Sequence, residues 1–298
     1  ELVGAALWAS LARGGLTATG LAGPARGGPP LREEGLRAGC ASLVQQGFSR
    51  LQDLSWATIG VSVEALADTI ESLQDRGFPP VFIFMYDQVW LLLLHLFQVM
   101  ARLLDSEAVE MSLGVFAWSL LPGAKGDGKR IGNNFGQPHR DKRYSDCHTA
   151  GHKLTTLTAW LALVPVSLDN GCMYVVPAER DPLLNKPDDP LHMKPAETAV
   201  QPLCQAVPCN AGDVVCWQAN LIHWGSSCSE NVARPRKSLA TAFMLPGTGK
   251  DKSIEAISKE ALEAGMGLDT RLRLVLKSVL QYKSWHPDFA GLSLVAPS

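Results

Sequence analysis

The pattern of apolar and polar positions predicts helices in the first third of the chain. Within residues 62–76, apolar side chains recur at helical spacing, Ser62 can cap the start, and Gly77 can end the helix. A helical pattern is also present over residues 31–53. Residues 87–104 are so strongly apolar that they predict a helix buried in the core.

The middle of the chain predicts β-strands. Runs rich in apolar, β-branched and aromatic residues predict strands at 111–121, 154–166, 172–176, 213–224 and 236–244. Asp169-Asn170-Gly171 is a strong turn signal and predicts a hairpin immediately before the strand at 172–176. The tail returns to amphipathic helices at 253–264 and 269–282. Because strands and helices do not alternate, the pattern predicts a mainly β fold, a sandwich or jelly roll, with flanking helices.

A length of 298 residues fits one large domain better than two complete ones. We expect residues 31–298 to form this domain. Its parts are predicted as a helical layer at 31–105, a β core at 106–246 and C-terminal helices at 252–283.

Residues 1–30 are expected to be an arm and linker outside that domain. Residues 2–25 are apolar and rich in Ala and Gly, and residues 24–30 (PARGGPP) have the composition of a linker. Five glycines between positions 4 and 23 disfavour a helix, which predicts a loosely packed arm. The alternative is the remnant of a targeting segment, or an element of residues 1–25 that contacts a membrane or a larger assembly.

Composition and charge exclude several classes of protein. Twenty-seven basic and 29 acidic residues give a net charge of −2 without a basic run, which argues against nucleic-acid binding. Seven cysteines without a recurring spacing argue against a secreted disulfide framework, and no apolar run is long enough to predict a transmembrane helix. We therefore expect a soluble intracellular protein. Because the sequence begins with Glu1, an organellar, plastid-type location after removal of an upstream targeting segment is the alternative.

Two histidines and one aspartate are the candidate metal ligands. His139 and Asp141 lie two positions apart on a segment that reads as extended, so both side chains can reach one ion. His223 lies near the end of the predicted strand 213–224, on the face shared with an apolar row that includes Trp217. Two histidines and a carboxylate with open positions form the facial triad of non-heme Fe(II) oxygenases.

An arginine and a serine on the last predicted strand are the candidate ligands of a cosubstrate. Strand alternation brings the guanidinium of Arg236 and the hydroxyl of Ser238 to one face, which suits capture of the carboxylate of an iron-bound 2-oxoacid. Arg234 shares that parity and is a competing anchor, but it precedes Pro235. Gln137 shares parity with His139, so its side chain either touches cosubstrate or substrate or lies at the surface.

Four segments carry a family resemblance through their order in the chain: GQPHRD, LTAWLALVPVSLDNGCMYVVPAERDP, GDVVCWQANLIHWG and PRKSLATAF. They supply an HxD pair, a Trp-containing strand with an NGC turn, a distal His, and Arg-x-Ser. In this order they resemble the phytanoyl-CoA dioxygenase family of Fe(II)/2-oxoglutarate oxygenases, from about residue 78 to about residue 245.

The resemblance implies a double-stranded β-helix (jelly-roll, cupin-like) core. It implies Fe(II) on His139, Asp141 and His223, 2-oxoglutarate on Arg236, O2 as the oxidant, and release of succinate and CO2. The substrate is expected to be a small or lipid-like molecule. Because halogenating relatives lack the carboxylate that Asp141 supplies here, hydroxylation or desaturation is expected rather than halogenation.

One departure from the family leaves the substrate open. Many members have Pro-Gly-Ser-His where this chain has Pro177-Ala178-Glu179-Arg180. The alternatives to an oxygenase are a non-catalytic family member that serves as a scaffold or accessory subunit, and a cupin-like isomerase or hydrolase without cosubstrate. The sequence does not distinguish hydroxylation from desaturation and does not determine the oligomeric state.

Other histidines and cysteines are weaker candidates for chemistry. Cys147, His148 and His152 lie close to the HxD pair, but their spacing fits no common zinc site and the segment reads as a polar lid. His95 is expected to be a core histidine. Trp118 and Trp160 are expected to be core residues rather than substrate-stacking ones.

Overall fold

A computed structural model describes residues 4–20, 31–120, 122, 136–184, 186–248 and 255–282. The helices of this part are α1 (Ala5–Leu11), α2 (Glu33–Gln46), α3 (Val63–Gln74), α4 (Asp87–Leu103), α5 (Tyr144–Cys147), α6 (Glu197–Val200), α7 (Lys259–Glu263) and α8 (Leu268–Tyr282). The strands are β1 (Phe48–Leu51), β2 (Glu110–Ser112), β3 (Phe116–Ser119), β4 (Thr156–Ala162), β5 (Met173–Val175), β6 (Gln205–Val207), β7 (Val214–Gln218), β8 (His223–Gly225), β9 (Lys237–Met244) and β10 (Ala256–Ser258).

The strands form two antiparallel sheets. The larger has seven strands in the order β1-β7-β4-β9-β2-β10, with β3 also paired with β9, and the smaller has the order β6-β5-β8. Two sheets with flanking helices, rather than a closed barrel, are the arrangement of a jelly-roll sandwich. The predicted fold class is therefore confirmed for the part of the chain that is described.

The larger sheet separates a helical core from the interior of the sandwich. In β4, Ala159 and Leu161 pack with the helices, whereas Trp160 and Ala162 pack against residues of the smaller sheet. This alternation follows from the period of two along a strand. Both faces of β4 in the larger sheet are therefore covered, one by the helices and the other by the smaller sheet.

The helices follow the predicted pattern closely. The Ser62 hydroxyl accepts a hydrogen bond from the backbone N–H of Ala65 and caps α3. Gly77 adopts a φ of 77°, a conformation that favours glycine. The apolar helix α4 is buried along most of its length. Of the helices described, none has the length and apolarity needed to cross a bilayer.

Residues 4–20 are packed into the helical core, so the prediction of a loose arm is wrong for them. Trp8 is fully buried, and its ring stacks on Phe82 at a centroid distance of 5.7 Å. The carboxylate of Asp87 accepts hydrogen bonds from the hydroxyls of Thr17 (2.7 Å) and Thr19 (2.8 Å). Apolar burial and these hydrogen bonds outweigh the poor helix propensity of the glycines.

The predicted hairpin at Asp169-Asn170-Gly171 is also wrong. The turn itself forms: the Asn170 side chain accepts from the backbone of Ser167 and donates to that of Pro165, both at 2.8 Å. However, the strand before the turn belongs to the larger sheet and β5 belongs to the smaller one. The turn therefore passes the chain from one sheet to the other.

Other predicted boundaries are corrected by strand pairing. Residues 48–51, expected to be helical, form an edge strand that pairs with β7. The segment 213–224 is not one strand, because β7 and β8 lie in different sheets. The segment 111–121 contains the two short strands β2 and β3, and 253–264 contains β10 before α7. The glycine-rich segment 123–135 and residue His286 lie outside the described residues.

Candidate metal centre

His139 and His223 are neighbours across a backbone bridge. The backbone N–H of each donates to the carbonyl of the other, at 3.1 and 3.0 Å, so the His139 segment extends the smaller sheet beside β8. The two rings lie 4.4 Å apart between centroids, and both residues are buried. Backbone pairing thus places together two histidines that are 84 positions apart in the sequence.

Asp141 completes a three-residue group that could hold a metal ion. Its Oδ1 lies 3.8 Å from Nε2 of His139 and 3.6 Å from Nε2 of His223. One potential ligand atom from each of the three lies within 4.8 Å of the others, and no other such group is found among the described residues. The structure therefore brings together the three predicted ligands.

The Nδ1 atoms of both imidazoles are hydrogen-bonded to backbone carbonyls. Nδ1 of His139 lies 2.8 Å from the carbonyl of Gln137, and Nδ1 of His223 lies 3.0 Å from that of Leu221. A carbonyl can only accept, so these bonds assign the proton to Nδ1 in each ring. In the neutral form of each ring, Nε2 is then the unprotonated nitrogen and carries the lone pair that a metal ion needs.

The charges of the group favour a cation. Burial, reinforced by repulsion from His223, lowers the pKa of His139 to about 4, so this imidazole is neutral near pH 7. Burial acts to raise the pKa of Asp141. Attraction to the protonated forms of His223 and His139, together with hydrogen bonds from Thr158 and Trp217, outweighs burial and lowers this pKa. Two imidazole nitrogens and one carboxylate oxygen form a donor set that fits Fe(II).

The group opens into a cavity of about 230 Å³ between the two sheets. Asp141 and His223 line it beside the aromatic rings of Trp160 and Trp217. At the end of α8, Tyr282 contributes a further aromatic wall. Most of the cavity wall is apolar, and its polar side chains include those of Asp141, Lys142 and Arg236.

Arg236 places a buried cation in the wall of this cavity. The residue is 3 % exposed, and burial lowers its pKa to about 10. One guanidinium nitrogen donates to the carbonyl of Gly171, the group lies 5.8 Å from the ring of Trp160, and Nε has no hydrogen-bond partner. Among the described residues, no carboxylate pairs with this guanidinium. A buried cation of this kind can attract an anionic ligand.

Arg234, the competing anchor, lies elsewhere. Its side chain is 49 % exposed and forms an ion pair with Asp68 of α3 at 3.6 Å. Arg234 is not among the residues that line the cavity. The geometry therefore favours Arg236, because an anchor must reach the space in which the cosubstrate is held.

Ser238 and Gln137 have different surroundings. Ser238 is fully buried on β9, its hydroxyl has no hydrogen-bond partner in the described structure, and it does not line the cavity directly. Gln137 is exposed and lies outside the cavity wall, although its carbonyl holds the ring of His139. Contact of either side chain with a cosubstrate stays a prediction.

The second cluster of potential ligands does not converge. Cys147 is buried in α5, and its thiol contacts the Asn220 side chain at 3.4 Å. The ring of His148 stacks on Tyr144, whose hydroxyl lies 3.1 Å from Nδ1 of His152. These contacts account for the positions of the three side chains without a zinc ion. His95 is a buried core residue, as expected, and its Nδ1 contacts the carbonyl of Leu91 at 2.9 Å.

The residue between the two ligands of the HxD pair is a buried arginine that the sequence did not reveal. The Arg140 guanidinium forms a two-pronged ion pair with Asp181 at 2.6 and 3.0 Å, and both side chains are completely buried. It also donates to the carbonyls of His192 (2.7 Å) and Asn220 (2.5 Å). Arg140 thus ties the HxD segment to the turn that precedes His223.

Comparisons with known structures gave distant similarities. The chain is 20 % identical to the non-heme α-ketoglutarate-dependent epimerase SnoN from nogalamycin biosynthesis, with 74 % of this chain and 91 % of that chain covered and a TM-score of 0.46. The chain is 21 % identical to the carbocyclase SnoK of the same biosynthesis, with 73 % of this chain and 87 % of that chain covered and a TM-score of 0.47. It is 17 % identical to AviO1 from Streptomyces viridochromogenes Tue57, with 71 % of this chain and 96 % of that chain covered and a TM-score of 0.47.

The family comparison is informative about the site. A search of curated proteins found no match to the sequence. The family model of phytanoyl-CoA dioxygenase (PhyH) matches residues 124–234, the segment that contains His139, Asp141 and His223. This match confirms, over residues 124–234, the resemblance seen in the sequence motifs.

Proposed function

We propose that this protein is a non-heme Fe(II)- and 2-oxoglutarate-dependent dioxygenase that oxidises a small molecule. One observation carries the proposal: Asp141 and His223 of the His-Asp-His group line the same cavity as Arg236, a buried arginine that pairs with no carboxylate among the described residues. The His-Asp-His group fits a metal ion and Arg236 fits the far carboxylate of a dicarboxylic acid. A scaffold without catalytic activity would need neither.

In this proposal His139, Asp141 and His223 hold the iron through two Nε2 atoms and Oδ1. A bound iron ion would supply the activation of O2, coupled to the oxidative decarboxylation of 2-oxoglutarate. The carbonyls of Gln137 and Leu221 keep both rings turned with Nε2 toward Asp141. The neutral imidazole of His139 leaves its Nε2 available without the loss of a proton.

Arg236 is proposed to bind the distal carboxylate of 2-oxoglutarate. The guanidinium is already desolvated, and a carboxylate could satisfy its Nε donor, which has no hydrogen-bond partner among the described residues. The hydroxyl of Ser238, two positions along the same strand face, is proposed to add a hydrogen bond to this carboxylate. The buried aromatic walls exclude water and hold the substrate close to the oxidising centre.

The reaction is proposed to be hydroxylation of a C–H bond, with desaturation as the variant outcome. In hydroxylation, one oxygen atom of O2 enters the substrate and the other enters succinate, while CO2 leaves 2-oxoglutarate. Asp141 provides a carboxylate where a halide would have to bind in a halogenating site. The mostly apolar walls are compatible with a small, mainly apolar substrate.

The test is succinate formation by the purified protein. Metal-free protein is mixed with Fe(II), 2-oxoglutarate, O2 and pools of small molecules. The succinate formed and the O2 consumed are then measured. We expect Fe(II)-dependent succinate that increases with one class of substrate, and its loss in Asp141→Ala. Failure to form succinate with every pool, although 2-oxoglutarate and Fe(II) bind, would favour the scaffold alternative.

A further inference from the structure

The carboxylate of Asp141 has two oxygens with different surroundings. Oδ1 faces the Nε2 atoms of His139 and His223 at 3.8 and 3.6 Å. Oδ2 accepts a hydrogen bond from the hydroxyl of Thr158 at 2.8 Å and another from the indole N–H of Trp217 at 3.3 Å. The two sides of the carboxylate are therefore separated into a ligand side and a donor side.

The two donors are held on a rigid frame. Thr158 lies on β4 and Trp217 on β7, and the two residues are direct partners in the antiparallel register of these strands. Cross-strand partners have side chains on the same face, close together. The Trp217 ring also contacts the ring of His223, with centroids 4.6 Å apart. One pair of residues in the larger sheet thus touches two of the three proposed ligands.

Asp141 itself lies on no helix or strand, and its side chain is 30 % exposed. Nothing in its own backbone would prevent rotation of the carboxylate. An ionised oxygen accepts about two hydrogen bonds along its lone pairs, and the two donors supply that number at Oδ2. Oδ1 is then the oxygen left for a metal ion.

We propose that Thr158 and Trp217 are positioning residues that make Asp141 bind iron through Oδ1 alone. This inference rests on the proposed function. By engaging Oδ2, the pair keeps the carboxylate from binding with both oxygens and leaves the remaining positions for 2-oxoglutarate and O2. Partners of metal ligands typically change metal affinity by 10–100-fold when they are removed.

The chain offers matched variants for a test. Thr158→Val removes the donor with little change of shape, Thr158→Ser retains the hydroxyl, and Trp217→Phe keeps an aromatic ring against His223. Thr156→Val is the control, because Thr156 lies two positions earlier on β4, lines the same cavity, and its hydroxyl has no hydrogen-bond partner in the described structure.

The measurements are anaerobic Fe(II) affinity and the visible absorption of the Co(II)-substituted protein, both without 2-oxoglutarate. Circular dichroism of the metal-free protein verifies that each variant is folded. We expect Thr158→Val and Trp217→Phe each to weaken Fe(II) binding by about tenfold or more and to change the Co(II) bands. Thr158→Ser should restore both properties, and Thr156→Val should match the wild type.

Two results separate the failure of this inference from that of the proposed function. If the wild-type protein binds no Fe(II), the proposed function fails. If the wild type binds Fe(II) and both donor variants bind it equally well with an unchanged Co(II) spectrum, the positioning role is wrong. An equal loss in Thr156→Val would also contradict the role, because the effect would then belong to the cavity wall in general.

Discussion

Two buried guanidinium groups near the proposed metal centre have opposite surroundings. Arg140 has its charge matched by Asp181, and two backbone carbonyls occupy further donors. Arg236 is equally buried, but no carboxylate in the described part of the chain pairs with it, and its Nε has no hydrogen-bond partner. The same chemical group is thus satisfied in one place and incompletely satisfied in the other.

This difference teaches how burial separates a structural role from a binding role. An ion pair that is complete inside the protein resists the loss of either partner, because the remaining charge would be left without water. A buried cation without a counter-charge destabilises the folded protein until an anion binds. The comparison therefore predicts opposite consequences for removing the two arginines.

The largest expected effect is on stability, from Arg140→Leu. The substitution leaves the completely buried Asp181 carboxylate without its cation, which costs about 3–5 kcal/mol of unfolding free energy. Denaturant unfolding of the metal-free protein measures it. Arg236→Leu is the matched variant, and it should change the unfolding free energy by less than about 1 kcal/mol or increase it. Equal destabilisation by both substitutions would contradict the comparison.

The next effect is on cosubstrate binding, from the same Arg236→Leu. Loss of the cation that is proposed to bind the distal carboxylate should weaken 2-oxoglutarate binding by about 2–5 kcal/mol, roughly thirtyfold or more. Calorimetric titration of the metal-loaded protein under anaerobic conditions measures it. Arg234→Leu is the control, because its exposed ion pair with Asp68 contributes little. A larger loss with Arg234→Leu would move the anchor to that residue.

A smaller effect is expected from Ser238→Ala. One hydrogen bond to the carboxylate of 2-oxoglutarate is worth about 1 kcal/mol, so affinity should fall by about fivefold. The metal-free protein should keep its stability, since the Ser238 hydroxyl has no hydrogen-bond partner in the described part of the chain. Unchanged 2-oxoglutarate affinity would show that Ser238 serves only the packing of β9.

The sequence was sufficient for features that depend on local spacing. His139 and Asp141 could be paired from their positions alone, and the capping role of Ser62 followed from one turn of helix. The Asp169-Asn170-Gly171 turn was also recognisable from its composition. Its sheet partners were not, because a turn signal does not state which strands hydrogen-bond on either side.

Features that depend on long-range pairing were beyond the sequence. Thr158 and Trp217 meet only because β4 and β7 pair in one particular register. Arg140 looks like an ordinary charged residue, and its burial depends on Asp181, 41 positions later. The glycines near Trp8 predict a loose arm because they disfavour helices. Packing of its ring against Phe82, which is distant in the sequence, instead buries Trp8 in the core.

The central claim is that His139, Asp141 and His223 hold one iron ion, and His223→Ala tests it most directly. Fe(II) binding is measured by anaerobic titration of folded, metal-free protein, with His148→Ala as a control outside the centre. The wild type and His148→Ala should each bind one Fe(II) per chain, and His223→Ala should show no stoichiometric binding. One tightly bound Fe(II) in His223→Ala would contradict the assignment of the metal centre.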